Sequence, residues 1–140
     1  RLNRVKIHRT LGKIYVVSAL ISGVCGIYIG FYATGGLISS LGFILLGIVW
    51  LSSTLMAFDA VRKKKFDAHA NMMLISFAAC FAAVTLRIWL PLLTSLTGEF
   101  TIAYRIVAWL CWVPNILVAL IYLYMNRNEP SANFKVDKFI

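Results

Sequence analysis

Apolar residues dominate four long stretches of this chain, at about residues 14–33, 37–61, 72–96 and 102–125, parted by short polar pieces. A soluble core cannot use stretches of that length, because a helix lying on it needs a polar face. A bilayer can use them, because about 20 apolar residues span its hydrocarbon core as a helix. Lipid offers the backbone no hydrogen-bond partner, so a spanning segment is a helix or part of a closed barrel. Barrel strands would alternate apolar and polar residues over about ten positions, whereas these stretches are longer and continuous. The pattern predicts an all-α fold, a polytopic transmembrane helical bundle of four spans running up-down-up-down.

The breaks carry turn chemistry. Thr34-Gly35-Gly36 and Thr97-Gly98-Glu99 read as turns. Arg62-Lys63-Lys64-Lys65 ends the second span, since no hydrocarbon interior accepts four adjacent cations. Residues 66–71 read as a polar link, and Glu129-Pro130 closes the last helix. The organisation expected is a basic cytoplasmic segment at 1–13, a four-helix transmembrane domain at 14–125 and a cytoplasmic tail at 126–140. Short loops make neighbouring spans antiparallel, which sets the first and third spans diagonally across a bundle.

Composition sharpens this picture. The chain is 61% hydrophobic, against about half for a soluble domain, and its mean hydropathy is +0.83. The net charge of +9 comes from 14 Lys and Arg against 5 Asp and Glu. The cations flank apolar spans and form no aromatic-interleaved groove, so anionic lipid accounts for them and nucleic acid does not. Of the 14 basic residues, only Arg87 and Arg105 lie outside the N-terminal segment, the middle link and the tail. The positive-inside rule then places both ends of the chain and the middle link in the cytoplasm, in a bacterial inner membrane. Cys25, Cys80 and Cys111 each sit within an apolar run without CxxC spacing, which reads as small buried hydrophobes rather than a disulfide frame or zinc site. The start of the chain is too charged, and its first apolar run too long, for a signal peptide.

Two constellations hold candidate chemistry. His8 precedes the first span and His69 the third, so both imidazoles lie at similar depth. At about 100° per residue, His8, Gly12, Tyr15, Ala19, Ser22, Gly26 and Gly30 share one helix face. His69, Met73, Ser76, Cys80, Ala83 and Arg87 share another. If both faces point inward, two imidazoles confront each other. Neutral imidazole binds haem iron well, and nearby Arg and Lys can pair with propionates. This reading makes His8 and His69 ligands of haem b iron, or of a divalent metal, with Gly12, Tyr15 and Gly26 against the cofactor. The competing reading is two boundary histidines that only hydrogen-bond. The stripe Ser18, Ser22, Gly26 and Gly30 admits close backbone approach. It would serve the same cofactor or, more simply, packing against another helix or another membrane subunit.

The second constellation lies at the opposite end. Arg87 stands inside the third span, Arg105 opens the fourth, and Glu99 is the acid between them. Buried arginine needs a partner. With Tyr104, Trp109, Trp112 and Asn115, these residues would bind an anionic or quinone-like headgroup. The structural alternative is an Arg–Glu staple inside an aromatic belt. Pro91 leaves a carbonyl free in the third span, and Pro114 predicts a kink with an exposed carbonyl near Asn115. Asp59, three residues before Arg62, reads as a satisfied interfacial acid. Soluble-enzyme signatures are absent, and five acids leave little room for a paired-carboxylate catalyst.

His8-Arg9-Thr10-Leu11-Gly12-Lys13-Ile14-Tyr15 resembles the HRxxGxxY opening of a bacterial family of uncharacterised multi-helix membrane proteins. Further blocks fit it: Leu41-Gly42-Phe43 with Trp50, Ala68-His69 with Met72, and Ala82 to Arg87 with Leu90-Pro91. The longest runs from Ala103-Tyr104-Arg105 to Trp112-Val113-Pro114-Asn115. The resemblance implies the helical membrane fold, marks His8, Gly12, Tyr15, His69, Arg87, Tyr104, Arg105, Trp109, Trp112, Pro114 and Asn115 as pattern positions, and supplies no reaction. Members usually carry a further N-terminal helix with its own His, so the resemblance implies a helix ahead of Arg1. Ala70-Asn71 departs from the family's basic residue and Trp after the second His.

Three functions compete. A small redox membrane protein, haem-binding or quinone-interacting, needs the inward histidines. A non-catalytic subunit or assembly factor of a larger membrane complex needs only the small-residue face. A transporter is the weakest, for want of internal repeats or a mid-membrane acid. Whether the protein is an enzyme is left open.

Overall fold

The computed structural model describes residues 2–127. The described chain forms α1 (Leu2–Gly30), α2 (Leu37–Arg62), α3 (Phe66–Thr97), α4 (Phe100–Leu110) and α5 (Val113–Arg127). Among the described residues, four helical lengths are long and apolar enough to cross a membrane: Lys6–Gly30, Leu37–Arg62, Phe66–Thr97 and Phe100–Asn126. The fourth comprises α4 and α5. The expected stop at Glu129-Pro130 and most of the expected tail lie outside the described residues.

Two expected boundaries move. The basic segment does not stand apart, because α1 is continuous from Leu2. The expected link at 66–71 is the first turn and a half of α3. Charge does not interrupt i→i+4 hydrogen bonding, and long cationic side chains extend along a helix toward water. Backbone geometry sets the real end. Lys65 N–H donates to the Ala60 carbonyl at 2.9 Å and Lys64 N–H to the Val61 carbonyl at 3.1 Å. This pair of bonds is a Schellman motif, with Lys64 at φ 58° where glycine is usual. The α1–α2 turn runs through Gly35 and Gly36, both at positive φ, and α3 ends on left-handed Gly98.

The break between α4 and α5 follows from Pro114, which lacks an N–H and so cannot continue the ladder. Trp112 N–H bonds back to Trp109 in a 3₁₀ step. The Cys111 carbonyl is taken up by side chains, accepting from Asn115 Nδ2 at 2.9 Å and from the Thr85 hydroxyl of α3. The carbonyl expected beside Asn115 is therefore present, and it ties the break to α3.

α2 is the central helix, packing against α1, α3 and α4, while α3 also packs on α4 and α5. α1 makes backbone contact with α2 alone among the described residues. The first and third spans are thus apart, as a diagonal placement requires. The edge between α1 and α4 that would close a square bundle is open. Glycines set the close approaches. A Cβ on Gly47 would lie 2.6 Å from Ile27 Cγ1, and one on Gly23 2.6 Å from Leu51 Cδ2. On the other side of α2, a Cβ on Gly42 would lie 2.7 Å from the backbone oxygen of Ala108. The core cluster of Ala82, Cys111 and Trp112 joins α3 to the break beside it, with Phe43, Leu46 and Leu86 against it.

Candidate functional site

The inward face of α1 meets two cavities separated by a polar layer. The first, about 200 Å³, is lined by His8, Gly12 and Val16 of α1, Phe58 and Val61 of α2, and His69 and Met73 of α3, with Arg9 and Lys13 at its charged end. The two histidines picked out by register therefore line one cavity. His69 is half-buried, and its Nδ1 lies 2.8 Å from the Ala57 carbonyl. A carbonyl only accepts, so Nδ1 carries the proton and the neutral ring's lone pair resides on Nε2. His8 is exposed on α1. A Cβ on Gly12 would meet nothing within 4 Å, so this wall is flat and open.

The polar layer lies one turn further into the bundle. Tyr15 Oη is 2.8 Å from Ser76 Oγ, and Ser76 Oγ is 2.7 Å from Thr54 Oγ1. Thr54 Oγ1 in turn donates to the Trp50 carbonyl at 2.7 Å, and Trp50 Nε1 donates to Tyr15 at 3.4 Å. Ser76 and Thr54 are fully buried. Thr54 was not singled out in the sequence. Its one signal is a cluster of three consecutive hydroxyls, Ser52-Ser53-Thr54, inside a mostly apolar span.

The second cavity, about 260 Å³, lies beyond this layer on the open α1–α4 edge. Ser22, Gly26 and Gly30 form one wall, with Trp50, Leu86 and Tyr104 opposite. Gly26 has nothing within 4 Å of a Cβ position. The stripe Ser18, Ser22, Gly26 and Gly30 splits accordingly. Only Gly30 is buried, against α2, while the neighbouring face of Ala19 and Gly23 makes the α1–α2 contact.

The second constellation does not assemble. Arg87 is exposed, and its one hydrogen bond among the described residues is to its own helix, to the Ala83 carbonyl at 3.4 Å. Arg105 donates from Nε to the Gly35 carbonyl at 2.7 Å. Glu99 is the N-cap residue of α4 and pairs with neither arginine; the one ion pair among the described residues is Lys63–Asp59 at 2.6 Å. The expected Arg–Glu staple is therefore not formed. Depth supplies the reason. Arg87 lies 21 residues into α3, a rise of about 31 Å, which puts it near the far edge of the hydrocarbon layer. There an arginine reaches water without an acid. The aromatic and amide groups are also engaged within the protein: Trp109 Nε1 with the Ile38 carbonyl, Trp112 Nε1 with the Ala108 carbonyl, and Asn115 with Cys111. Tyr104 packs between the rings of Phe43 and Phe100.

No group of three or more His, Cys, Asp or Glu able to hold a metal ion occurs among the described residues. Any iron or metal held here would rest on the two imidazoles and on ligands from outside this set.

A family model described as predicted membrane protein (DUF2306) matches residues 1–123, nearly all of the described chain. No curated protein and no solved structure shows a significant match. The chain is an integral membrane protein by its four apolar helices and by this match.

Proposed function

Since the chain belongs to the family of predicted membrane proteins whose model it matches, we propose the activity its paired histidines support best: a small redox protein that holds a b-type haem between α1 and α3. One observation carries this reading. His69 is fixed through Nδ1 on the Ala57 carbonyl, beside a cavity that His8 also lines. A backbone carbonyl on one ring nitrogen is the usual support of a metal-ligating histidine, because it fixes the tautomer and the ring plane.

The donor set fits the group. Two neutral imidazoles would ligate iron, Arg9 and Lys13 would meet the propionates, and Gly12 leaves room for a flat ring. At about 200 Å³ the cavity is smaller than the 300–1,000 Å³ or so of sites that enclose their ligands. It would therefore enclose only part of a macrocycle. Bound haem would supply one-electron transfer. The chain's own residues hold the ring plane, set the tautomer and exclude water through the polar layer at Tyr15. A membrane quinone is the matching electron partner, and the apolar cavity beside Gly26 and Trp50 opens toward the bilayer. The basic residues in the first turns of α1 and between α2 and α3 favour a bacterial inner membrane with these ends in the cytoplasm, so the haem would lie at the cytoplasmic side.

The test is a reduced-minus-oxidised spectrum of the purified full chain, before and after titration with haem. An α-band that disappears in both His8→Ala and His69→Ala is expected. No band after titration, or a band indifferent to both substitutions, removes the reading.

A second reading, a non-catalytic subunit of a larger membrane complex, is favoured by the open α1–α4 edge and the unfilled Ser22–Gly26 wall. It predicts site-specific crosslinks from residue 26 to one partner chain and no bound chromophore.

A further inference from the structure

The outer end of α2 has the composition of an anion site, and we propose that it holds the phosphate of a lipid headgroup. Gly36 is the N-cap of α2 and offers no side chain to the helix end. The first hydrogen bond into the helix is Ser40 N–H to the Gly36 carbonyl. The N–H groups of Leu37, Ile38 and Ser39 precede that first bond and have no partner in the helix, at the positive end of its dipole. Backbone donors and dipole together suit an anion.

Ser39 supplies the independent sign that something is missing. It is fully buried, and its hydroxyl is the one buried side-chain polar atom among the described residues with no hydrogen-bond partner. It is turned toward the Gly35–Gly36 turn that leads into the helix: a Cβ on Gly35 would lie 2.6 Å from Ser39 Oγ. The same Cβ would lie 3.2 Å from Arg105 Cγ, and Arg105 Nε holds the Gly35 carbonyl. Hydroxyl, guanidinium and helix end thus converge on one two-residue turn. The approach is open, because a Cβ on Gly36 would meet nothing within 4 Å. Arg105 is exposed, and its terminal nitrogens make no hydrogen bond among the described residues.

Depth identifies the class of anion. α2 has 26 residues, about 39 Å of rise. With Arg62 at one surface, its first turn lies beyond a hydrocarbon core of about 30 Å, among the headgroups of the other leaflet. Trp109, bonded to Ile38 in the same turn, stands where interfacial tryptophan is usual. A phosphodiester is the anion present at that level. This inference does not depend on the haem reading, which concerns the other end of the molecule.

The test is thermal unfolding of the full chain in a zwitterionic detergent, titrated with phosphatidylglycerol, with phosphatidylcholine or with inorganic phosphate. Phosphatidylglycerol should raise the midpoint by about 2–4 °C, and phosphatidylcholine by less. Arg105→Gln should abolish the shift and Arg105→Lys should keep part of it. Ser39→Ala is the decisive variant. Without lipid it removes an unsatisfied buried hydroxyl, so its midpoint should hold or rise, while its response to phosphatidylglycerol should fall. An equal response to inorganic phosphate, also lost in Arg105→Gln, would support the anion site and assign it to a soluble phosphate. No response to phosphatidylglycerol, or an undiminished response in Ser39→Ala and Arg105→Gln, would overturn the proposal. If Arg105→Gln does not fold, Arg105→Lys and Ser39→Ala still decide it.

Discussion

The Tyr15 hydroxyl, 2.8 Å from the Ser76 hydroxyl, is the polar tie between α1 and α3, two helices whose backbones do not touch. Its proton direction is forced from the far end. The Trp50 carbonyl only accepts, so the Thr54 proton is spent on it and Thr54 accepts from Ser76. Ser76 then accepts from Tyr15, and Tyr15 accepts from the Trp50 indole. The chain of donors begins and ends on Trp50. No member has a spare donor proton, so the layer needs no water within the membrane.

Tyr15→Phe removes one oxygen and opens that circuit. The expected loss is about 1 kcal/mol, since hydrogen bonds between membrane helices average about 0.6 and reach about 1.7 kcal/mol. Ser76→Ala should cost a similar amount, and the double variant little more than either alone. Denaturant titration of the four proteins in mixed micelles measures the coupling. Additive losses would mean the two hydroxyls act separately.

Gly42 and Gly26 look alike in sequence and should behave oppositely. A Cβ on Gly42 meets the Ala108 backbone oxygen at 2.7 Å, which no rotamer change relieves. Gly42→Ala should therefore push α2 from α4 and cost about 1–3 kcal/mol. A Cβ on Gly26 meets nothing within 4 Å, so Gly26→Ala should be neutral or gain up to about 1 kcal/mol from helix propensity. Thermal midpoints of the two variants in one detergent give the comparison.

These glycines show what sequence patterning reaches and where it stops. Register put His8 and His69 at similar depth, and both line a single cavity. Register also put Arg87 on the His69 face. That face is covered near Ser76 but exposed at Ala83 and Arg87. Periodicity gives the face of a helix; the neighbour opposite it changes along the helix, and only packing shows that. That α1 runs through the basic segment is not visible in the pattern for a different reason. Charge marks where lipid ends, whereas helix ends are set by backbone geometry such as that at Lys64.

Lys64 holds φ 58° at the end of α2. A left-handed conformation costs a residue with a Cβ about 1–2 kcal/mol, and glycine avoids most of that. Lys64→Gly should raise stability by about 1 kcal/mol. Three basic neighbours, Arg62, Lys63 and Lys65, keep the link between α2 and α3 cationic. Lys64→Val, which resists positive φ more strongly, should instead lower the unfolding midpoint.

Arg87 and Arg105 separate the two meanings an arginine can have near a membrane surface. Among the described residues Arg87 hydrogen-bonds only to the Ala83 carbonyl of its own helix, at 3.4 Å. Arg87→Leu should leave stability within about 0.5 kcal/mol, as for other exposed substitutions. Arg105 Nε reaches 70 residues back to the Gly35 carbonyl at 2.7 Å and fixes the turn at positive φ. A hydrogen bond to a charged group contributes about 1.5–3 kcal/mol, so Arg105→Leu should cost about that much. It should also loosen the α1–α2 turn, and a protease cutting near Gly35 in intact vesicles would report this as faster cleavage. Equal losses from both substitutions would mean that Arg87 has a partner supplied by the membrane or by another chain. Faster cleavage from Arg105→Leu alone would confirm that the α1–α2 turn is held from α4 through this side chain, because α1 itself packs on α2 alone among the described residues.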